Sequence, residues 1–303
     1  MKNKFISTTL LASAIALAGT AIANAEMVFT GAYGHYLDDN YGGKVFKIGY
    51  GGPGSGTLAA GKTWTMSENV LVGCCPNNLD PTFLYIYGTV NIAKDTYVSG
   101  ISRSGHCDIN GGTWNSAGAF NLGVGLGGTV TVQNGGKLSV GDEFAFAYGA
   151  TLTVSDSSTL ELSFDDSDGQ GISGGIQVRS NGNPCSITLS SAKNLIVDAT
   201  QYSSNADQFI LENFISANAG ATLDSLRLTV GDGIFMANNE ESLNQYLSGI
   251  TVEGFENYEK KFVVNTDTQS VSLHLSKIPE PSAFGLLAGI GALALVVSRR
   301  RRR

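Results

Sequence analysis

Histidine, cysteine and charge are all scarce in this chain, and each shortage removes a class of function. Only His35, His106 and His274 stand among 303 residues. They are far apart in sequence, and His274 alternates within a strand-like run, as a structural residue would. Serines are plentiful, yet no GxSxG elbow presents one as a nucleophile. The four cysteines, Cys74, Cys75, Cys107 and Cys185, form no CxxC pair. His106 beside Cys107 is the single approach to metal-ligand spacing, so a tetrahedral metal site is not expected. Charged residues make up 15 % of the chain. Between Glu26 and about Ala199 no sustained helical period occurs, which argues against a helical body.

What is present begins at the two ends. Lys2 and Lys4 precede an apolar, small-residue run from Ile6 to Gly19, and Ala23-Asn24-Ala25 satisfies the small-x-small cleavage rule. A signal peptide over 1–25 is expected, with Glu26 the first mature residue and the Sec machinery and signal peptidase as partners. At the other end stand Pro279, Glu280 and Pro281, then an uncharged run from Ser282 to Ser298. As a helix that run would be about 25 Å long, the short end of what spans a bilayer. Arg299, Arg300, Arg301, Arg302 and Arg303 follow it and would hold the terminus in the cytoplasm. The sequence therefore predicts a transmembrane helix in the inner membrane, with everything before Pro279 outside.

The order Pro-Glu-Pro, apolar span, arginine cluster resembles the PEP-CTERM sorting signal of Gram-negative bacteria. The resemblance covers Pro279 to Arg303, together with the signal peptide that such proteins carry. It implies an exosortase, a membrane protease or transpeptidase, that cuts near the Pro-Glu-Pro and releases the body toward the cell surface or the medium. The logic is that of other discarded tails. Such a tag is an address shared by otherwise unrelated exoproteins, and it carries no activity.

Without the two ends the charge balance changes. Setting aside Lys2, Lys4 and the five terminal arginines leaves 12 Lys+Arg, and setting aside Glu280 leaves 25 Asp+Glu. The exported body is thus about −13, against −7 for the whole chain. Such a surface disfavours nucleic acid and anionic membranes as partners.

Glycine is abundant, at 39 residues, and Ser, Thr, Asn and Gly separate short apolar pairs. Val130/Val132 and Leu138/Val140 recur as Leu152/Val154 and Leu160/Leu162, every member displaced by the same 22-residue step. An 8-residue step joins the pairs within each copy and recurs from Ile187/Leu189 to Leu195/Val197. Alternation in "TVTV" and "TLTV" puts one face in and one face out. Strands recurring at coil length predict a mainly β chain, a parallel β-helix or solenoid whose coils share one core. A β-sandwich of hairpins with similar spacing is the alternative. The texture also resembles the passenger regions of autotransporters, without a motif. The expected division is a solenoid-like body over 26–200 and a β-rich capping region over 201–278. The latter would hold a short helix within Asn238–Ile250 and a hairpin turning at "NTDT". The sorting tail occupies 279–303.

Candidate sites are few. An even cysteine count in an exported protein suggests disulfides, with Cys74 and Cys75 each reaching Cys107 or Cys185. "FDDSDGQG" places Asp165, Asp166 and Asp168 before Gly169, where a calcium ion could be held. In an EF-hand frame, however, positions 1 and 12 fall on Phe164 and Gly175, so a solvated acidic turn with no cofactor is expected. A glycan lyase would need a basic residue in an acidic groove, for which Arg179 and Lys193 are candidates by elimination. Thr129 and Thr131 recur as Thr151 and Thr153, two rungs of an outward threonine array like that of ice-binding β-helices. These features predict a non-enzymatic surface or matrix protein, structural or adhesive, that associates with extracellular polysaccharide. A polysaccharide lyase or hydrolase, and an ice- or glycan-binding β-helix, are the alternatives.

Overall fold

The computed structural model describes residues 27–38, 43–49, 53–73, 81–98, 105–123, 125, 127–164, 174–179, 183–202, 206–218 and 220–278. The chain opens with β1 (Met27–Gly31), β2 (Tyr33–Asp38) and β3 (Gly43–Ile48). Six coils of three strands follow. They are β4 (Gly54–Leu58), β5 (Thr63–Met66) and β6 (Asn69–Val72); β7 (Thr82–Ile86), β8 (Thr89–Ile92) and β9 (Thr96–Val98); and β10 (Gly105–Asn110), β11 (Thr113–Ser116) and β12 (Phe120–Leu122). Then come β13 (Thr129–Gln133), β14 (Lys137–Val140) and β15 (Phe144–Phe146); β16 (Thr151–Val154), β17 (Thr159–Ser163) and β18 (Ile176–Val178); and β19 (Cys185–Leu189), β20 (Leu195–Asp198) and β21 (Gln208–Ala217). The chain continues through β22 (Leu226–Val230), β23 (Gly233–Met236), the helix α1 (Glu240–Tyr246), β24 (Thr251–Glu253), β25 (Tyr258–Asn265) and β26 (Ser270–Lys277).

Successive strands of a coil go to three different sheets. The first face runs β1-β4-β7-β10-β13-β16-β19-β22-β23, the second β5-β8-β11-β14-β17-β20-β24, and the third β2-β3-β6-β9-β12-β15-β18-β21-β26-β25. From β4 to β22 on the first face every pairing is parallel. The same holds from β5 to β24 and from β3 to β21. This is a three-faced β-solenoid, and these ladders rule out a sandwich of antiparallel hairpins. The sequence repeat is the register itself: Val130 pairs with Leu152, and Leu138 with Leu160. Elsewhere the coil length varies. Along one column the partners are Leu84, Cys107, Val130, Leu152, Ile187 and Leu228, so the coils that lead to Ile187 and Leu228 are much longer than those before them. The parallel ladders pass residue 200, since β21 and β22 pair with the coil beneath them.

Alternation turns one residue in two inward, and these stack into columns. The column from Leu84 to Leu228 is one, and all its members are buried. Around the third face the column is aromatic: Phe120 lies edge-on to Phe144 at 5.3 Å, Phe144 is 4.5 Å from Phe146, and Trp114 meets Phe120 at 6.2 Å. Such pairs add to the transfer term from their buried area.

At the corner between the first and second faces, Gly88, Gly112 and Gly136 stack one above another, each followed by the first residue of a second-face strand. A Cβ on Gly112 would lie 2.6 Å from the carbonyl oxygens of both Gly88 and Ile86. Backbone cannot give way as a flexible side chain can. Gly112→Ala is therefore expected to cost about 1–3 kcal/mol by overpacking, measured as a shift of the urea midpoint. A shift too small to resolve would show that the corner is looser than this geometry. At the same corner one coil later Ser158 takes the glycine's place, and its Oγ accepts from the Gly135 N–H at 3.2 Å.

Buried Asn194 ties the sixth coil to the fifth. Its Nδ2 donates to the carbonyls of Ser155 (3.2 Å) and Ser158 (2.8 Å), and its Oδ1 accepts from the Ser191 N–H at 2.7 Å. Asn194→Ala should destabilise by about 2 kcal/mol, because buried backbone groups lose their partners. Thermal melting reads this directly, and an unchanged melting temperature would mean that water replaces the amide without loss.

Both ends of the stack are closed by antiparallel strands. At the start, β1 pairs with β4 and β2 with β3. Phe29, Tyr33, Phe46 and Trp64 cluster there, with centroids 4.7 to 5.7 Å apart across the Phe29–Tyr33, Phe29–Phe46, Phe46–Trp64 and Phe29–Trp64 pairs. At the far end β23 pairs with β22, and β26 with β21 and β25. Asn239 caps α1 by accepting from the Ser242 N–H, and Asn244 exchanges two 2.8 Å hydrogen bonds with the Phe262 backbone. The hairpin turns where Asn265 Oδ1 accepts from Asp267 and Thr268 N–H. These closures keep the solenoid from presenting a bare hydrophobic end. Among the described residues no helix is long and apolar enough to cross a membrane. The expected signal peptide with Ala23, Ala25 and Glu26, and the tail over 279–303, lie outside the described residues.

Candidate functional site

The first face carries two outward columns that run unbroken over all nine strands. One is Thr30, Ser55, Phe83, His106, Thr129, Thr151, Ser186, Arg227 and Met236. The other is Val28, Thr57, Tyr85, Asp108, Thr131, Thr153, Thr188, Thr229 and Ile234. Eight strand spacings make this face about 38 Å long. The two threonine rungs expected from the sequence do sit side by side, since Thr129 pairs with Thr151 and Thr131 with Thr153. The array continues through Ser186/Thr188 and ends at Thr229. Ser186 Oγ donates to Thr151 Oγ1 at 3.3 Å, so neighbouring hydroxyls already engage one another.

Next to the hydroxyl rungs the face changes character. Phe83 and Tyr85 stand on β7 with ring planes 6° apart and centroids 6.2 Å apart. His106, one coil on, stacks on Phe83 at 5.0 Å and 16°. Phe83 remains 37 % exposed. Burial holds the His106 imidazole below its usual value, so the ring is neutral at pH 7. Beside these rings the side chains are short: Asp108, Thr129 and Thr131. The drop from rings to short polar groups leaves a shallow depression of about 200 Å³ lined by Phe83, Tyr85, His106, Asp108, Thr131 and Gln133 among others. Gln133 Nε2 donates to Asp108 Oδ1 at 2.8 Å, fixing the carboxylate in the floor.

Sequence reasoning missed Phe83, Tyr85, Asp108 and Gln133 as a group. The available signal was the phase of "TFLYI": Leu84 and Ile86 take the inward positions, which leaves two aromatic rings on the outward ones. Their meeting with Asp108 and Gln133 depends on the pairing of three successive coils.

The other expected residues fare differently. Cys107 and Cys185 are buried free thiols, where the sequence reading bridged them to Cys74 and Cys75. Cys107 fills a core position between Leu84 and Val130, and Cys185 sits against Leu226. They are three strand spacings apart, about 14 Å, so they do not bond to each other. Burial, aided by the Asp108 charge, pushes the Cys107 thiol far up. Burial also raises Cys185, partly opposed by hydrogen bonds from the Gly149 and Ala150 backbone. Both behave as small apolar side chains. Cys74, Cys75 and the calcium candidates Asp165, Asp166 and Asp168 lie outside the described residues. Among the described residues no three His, Cys, Asp or Glu side chains gather as a metal site would need.

Arg179 is engaged by polar neighbours, with its side chain 41 % exposed. Its guanidinium pairs with Glu143 at 2.7 Å and donates to Asn121 at 2.8 Å and to Gln177. Partial burial raises the Glu143 carboxyl while Arg179 pulls it back, with Asp142 and Asp95 pushing the same way as burial. This is a clamp across the third face. Lys193 is exposed on a short 3-10 turn at the coil corner. On the second face, Lys137 pairs with Glu161 at 2.7 Å.

Against known proteins, one family model matches: the PEP-CTERM protein-sorting motif, over residues 277–303. The chain therefore ends in the signal of an exosortase-sorted, exported protein bound for the cell envelope or surface. No curated protein and no solved structure matches the chain.

Proposed function

We propose that this is a non-enzymatic structural or adhesive protein of the cell surface or extracellular matrix, held there by association with polysaccharide. The observation that carries the reading is the first face: from β4 to β19 its outward side chains are Thr, Ser, aromatic rings, His106 and Asp108, in two unbroken columns on a closed solenoid. A long, ordered, polar surface suits a repetitive polymer better than it suits a small substrate, which would call for a deep pocket. The engagement of Arg179 by Glu143, Asn121 and Gln177 is compatible with a structural role for that residue, a clamp across the third face. Fractionation of the native host tests the reading. The protein is expected in the surface fraction without its tail, and to be released when matrix polysaccharide is depolymerised. Full-length protein confined to the inner membrane would overturn it.

The Thr129/Thr131, Thr151/Thr153 and Ser186/Thr188 rungs favour a second reading, ice binding, since a regular hydroxyl array can order water. Thermal hysteresis of the purified exported protein decides this, and its absence at millimolar protein removes it.

A further inference from the structure

We propose that the ledge on the first face, with Phe83, Tyr85 and His106 as its wall and Asp108, Thr131 and Gln133 as its floor, is a binding subsite for an uncharged hexopyranose unit of a polysaccharide chain. This rests on the polysaccharide-associated reading above and adds to it a place and a ligand chemistry.

The argument begins with shape and polarity. A pyranose has an apolar C–H face and a rim of hydroxyls. The ledge offers the complement of both. Phe83 and Tyr85 stand side by side with near-parallel rings, and His106 stacks on Phe83, so together they make an aromatic wall. Large, rigid rings give contact area at little entropic cost. The floor offers a carboxylate and an amide already joined at 2.8 Å. Each keeps hydrogen-bonding capacity beyond that bond, since an ionised carboxylate has about four lone-pair sites and an amide nitrogen two donors. Thr131 adds a hydroxyl that both donates and accepts. The depression, at about 200 Å³, has room for one sugar ring and is open enough for the chain to continue on either side.

Charge narrows the class. Asp108 is the acidic side chain of the ledge, burial favours the neutral form of the His106 ring, and the exported body carries about −13. A polyuronate would meet repulsion both from the floor and from the whole body. A neutral or N-acetylated hexose polymer meets neither, and its hydroxyls can donate to Asp108. Wall and floor together draw on three successive coils, through β7, β10 and β13, so the site exists only in the assembled stack.

The test is native affinity electrophoresis of the exported protein through gels containing soluble glucan, galactan, mannan or an N-acetylglucosamine polymer, with polygalacturonate for comparison. At least one neutral polymer should retard the protein, and polygalacturonate should not. Phe83→Ala and Tyr85→Ala, both on the outer surface, should each weaken retardation at least about tenfold, as loss of an aromatic anchor does. Asp108→Asn should weaken it less, since the amide keeps one acceptor. Thr63→Ala, on the second face, should leave it unchanged. Circular dichroism confirms that the variants are folded. Retardation that survives both aromatic substitutions would overturn the site while leaving the surface-protein reading intact. Equal retardation by polygalacturonate would overturn the ligand chemistry. No retardation by any neutral polymer would end this proposal alone, because delivery to the surface is read independently by fractionation.

Discussion

Replacing Pro279 and Pro281 by alanine will abolish the shortened form of the protein, and full-length chain will accumulate in the inner membrane. Residues 277–303 match the sorting motif, and the Pro-Glu-Pro lies immediately before the apolar run from Ser282 to Ser298. Proline fixes φ and removes a backbone donor, so a Pro-Glu-Pro triplet has a restricted backbone that an Ala-Glu-Ala triplet lacks. A processing enzyme that reads this triplet should fail on the variant. Intact mass of the membrane and surface fractions checks this. In the surface fraction the native chain should lack its end from near Pro279 to Arg303, and the double variant should retain it. Normal shortening of the variant would show that the prolines are not what the processing enzyme reads. The same shortening in a host without an active exosortase would assign the cut to another protease.

Phe144→Ala will destabilise the body by about 3–5 kcal/mol, the range for truncating a fully buried aromatic side chain. Phe144 is completely buried, edge-on to Phe120 of the coil before and packed on Phe146 of its own strand. Removing the ring leaves a cavity at mid-stack that neither neighbouring coil can fill without shifting its own ladder. Stability in such a stack is a sum of coil and interface terms, so the loss weakens two interfaces together. Urea titration followed by circular dichroism measures it. Phe144→Leu, which refills much of the volume, should recover more than half of the loss. Phe83→Ala, at an outward position, should stay within about 1 kcal/mol of the native protein. A loss below about 1 kcal/mol for Phe144→Ala would mean that the coils collapse onto the gap, contrary to close packing.

Much of the architecture was legible because it is local. The alternation in "TVTVQ" and "TLTV" is a two-residue period that any strand with one buried face must show. The recurrence of Val130/Val132 as Leu152/Val154 became a register, since equal coils stack with equal side chains facing each other. The short helix after Asn239 and the turn at Asn265 were also readable, because a capping side chain acts within a few residues of its place in the chain. The cysteines show the limit of this. An even count in an exported chain suggested bridges, yet Cys107 and Cys185 occupy inward column positions, where a thiol serves as a small apolar group.

By itself the sequence determined how this protein is delivered and that its body is a stack of β-coils. Both depend on contiguous signals: a tripeptide, an apolar run and an arginine cluster in order, and apolar pairs at a fixed step. Only the tertiary structure decided what stands beside what on the surface. The step along the first face is 23 residues from Tyr85 to Asp108 and again from Asp108 to Thr131, then 22, 35 and 41, so the 22-residue repeat that shows in the sequence does not mark these three as neighbours. That placement follows from backbone ladders closing around a shared core. The core selects the register by which inward side chains pack, and the outward residues are carried into their columns as a consequence.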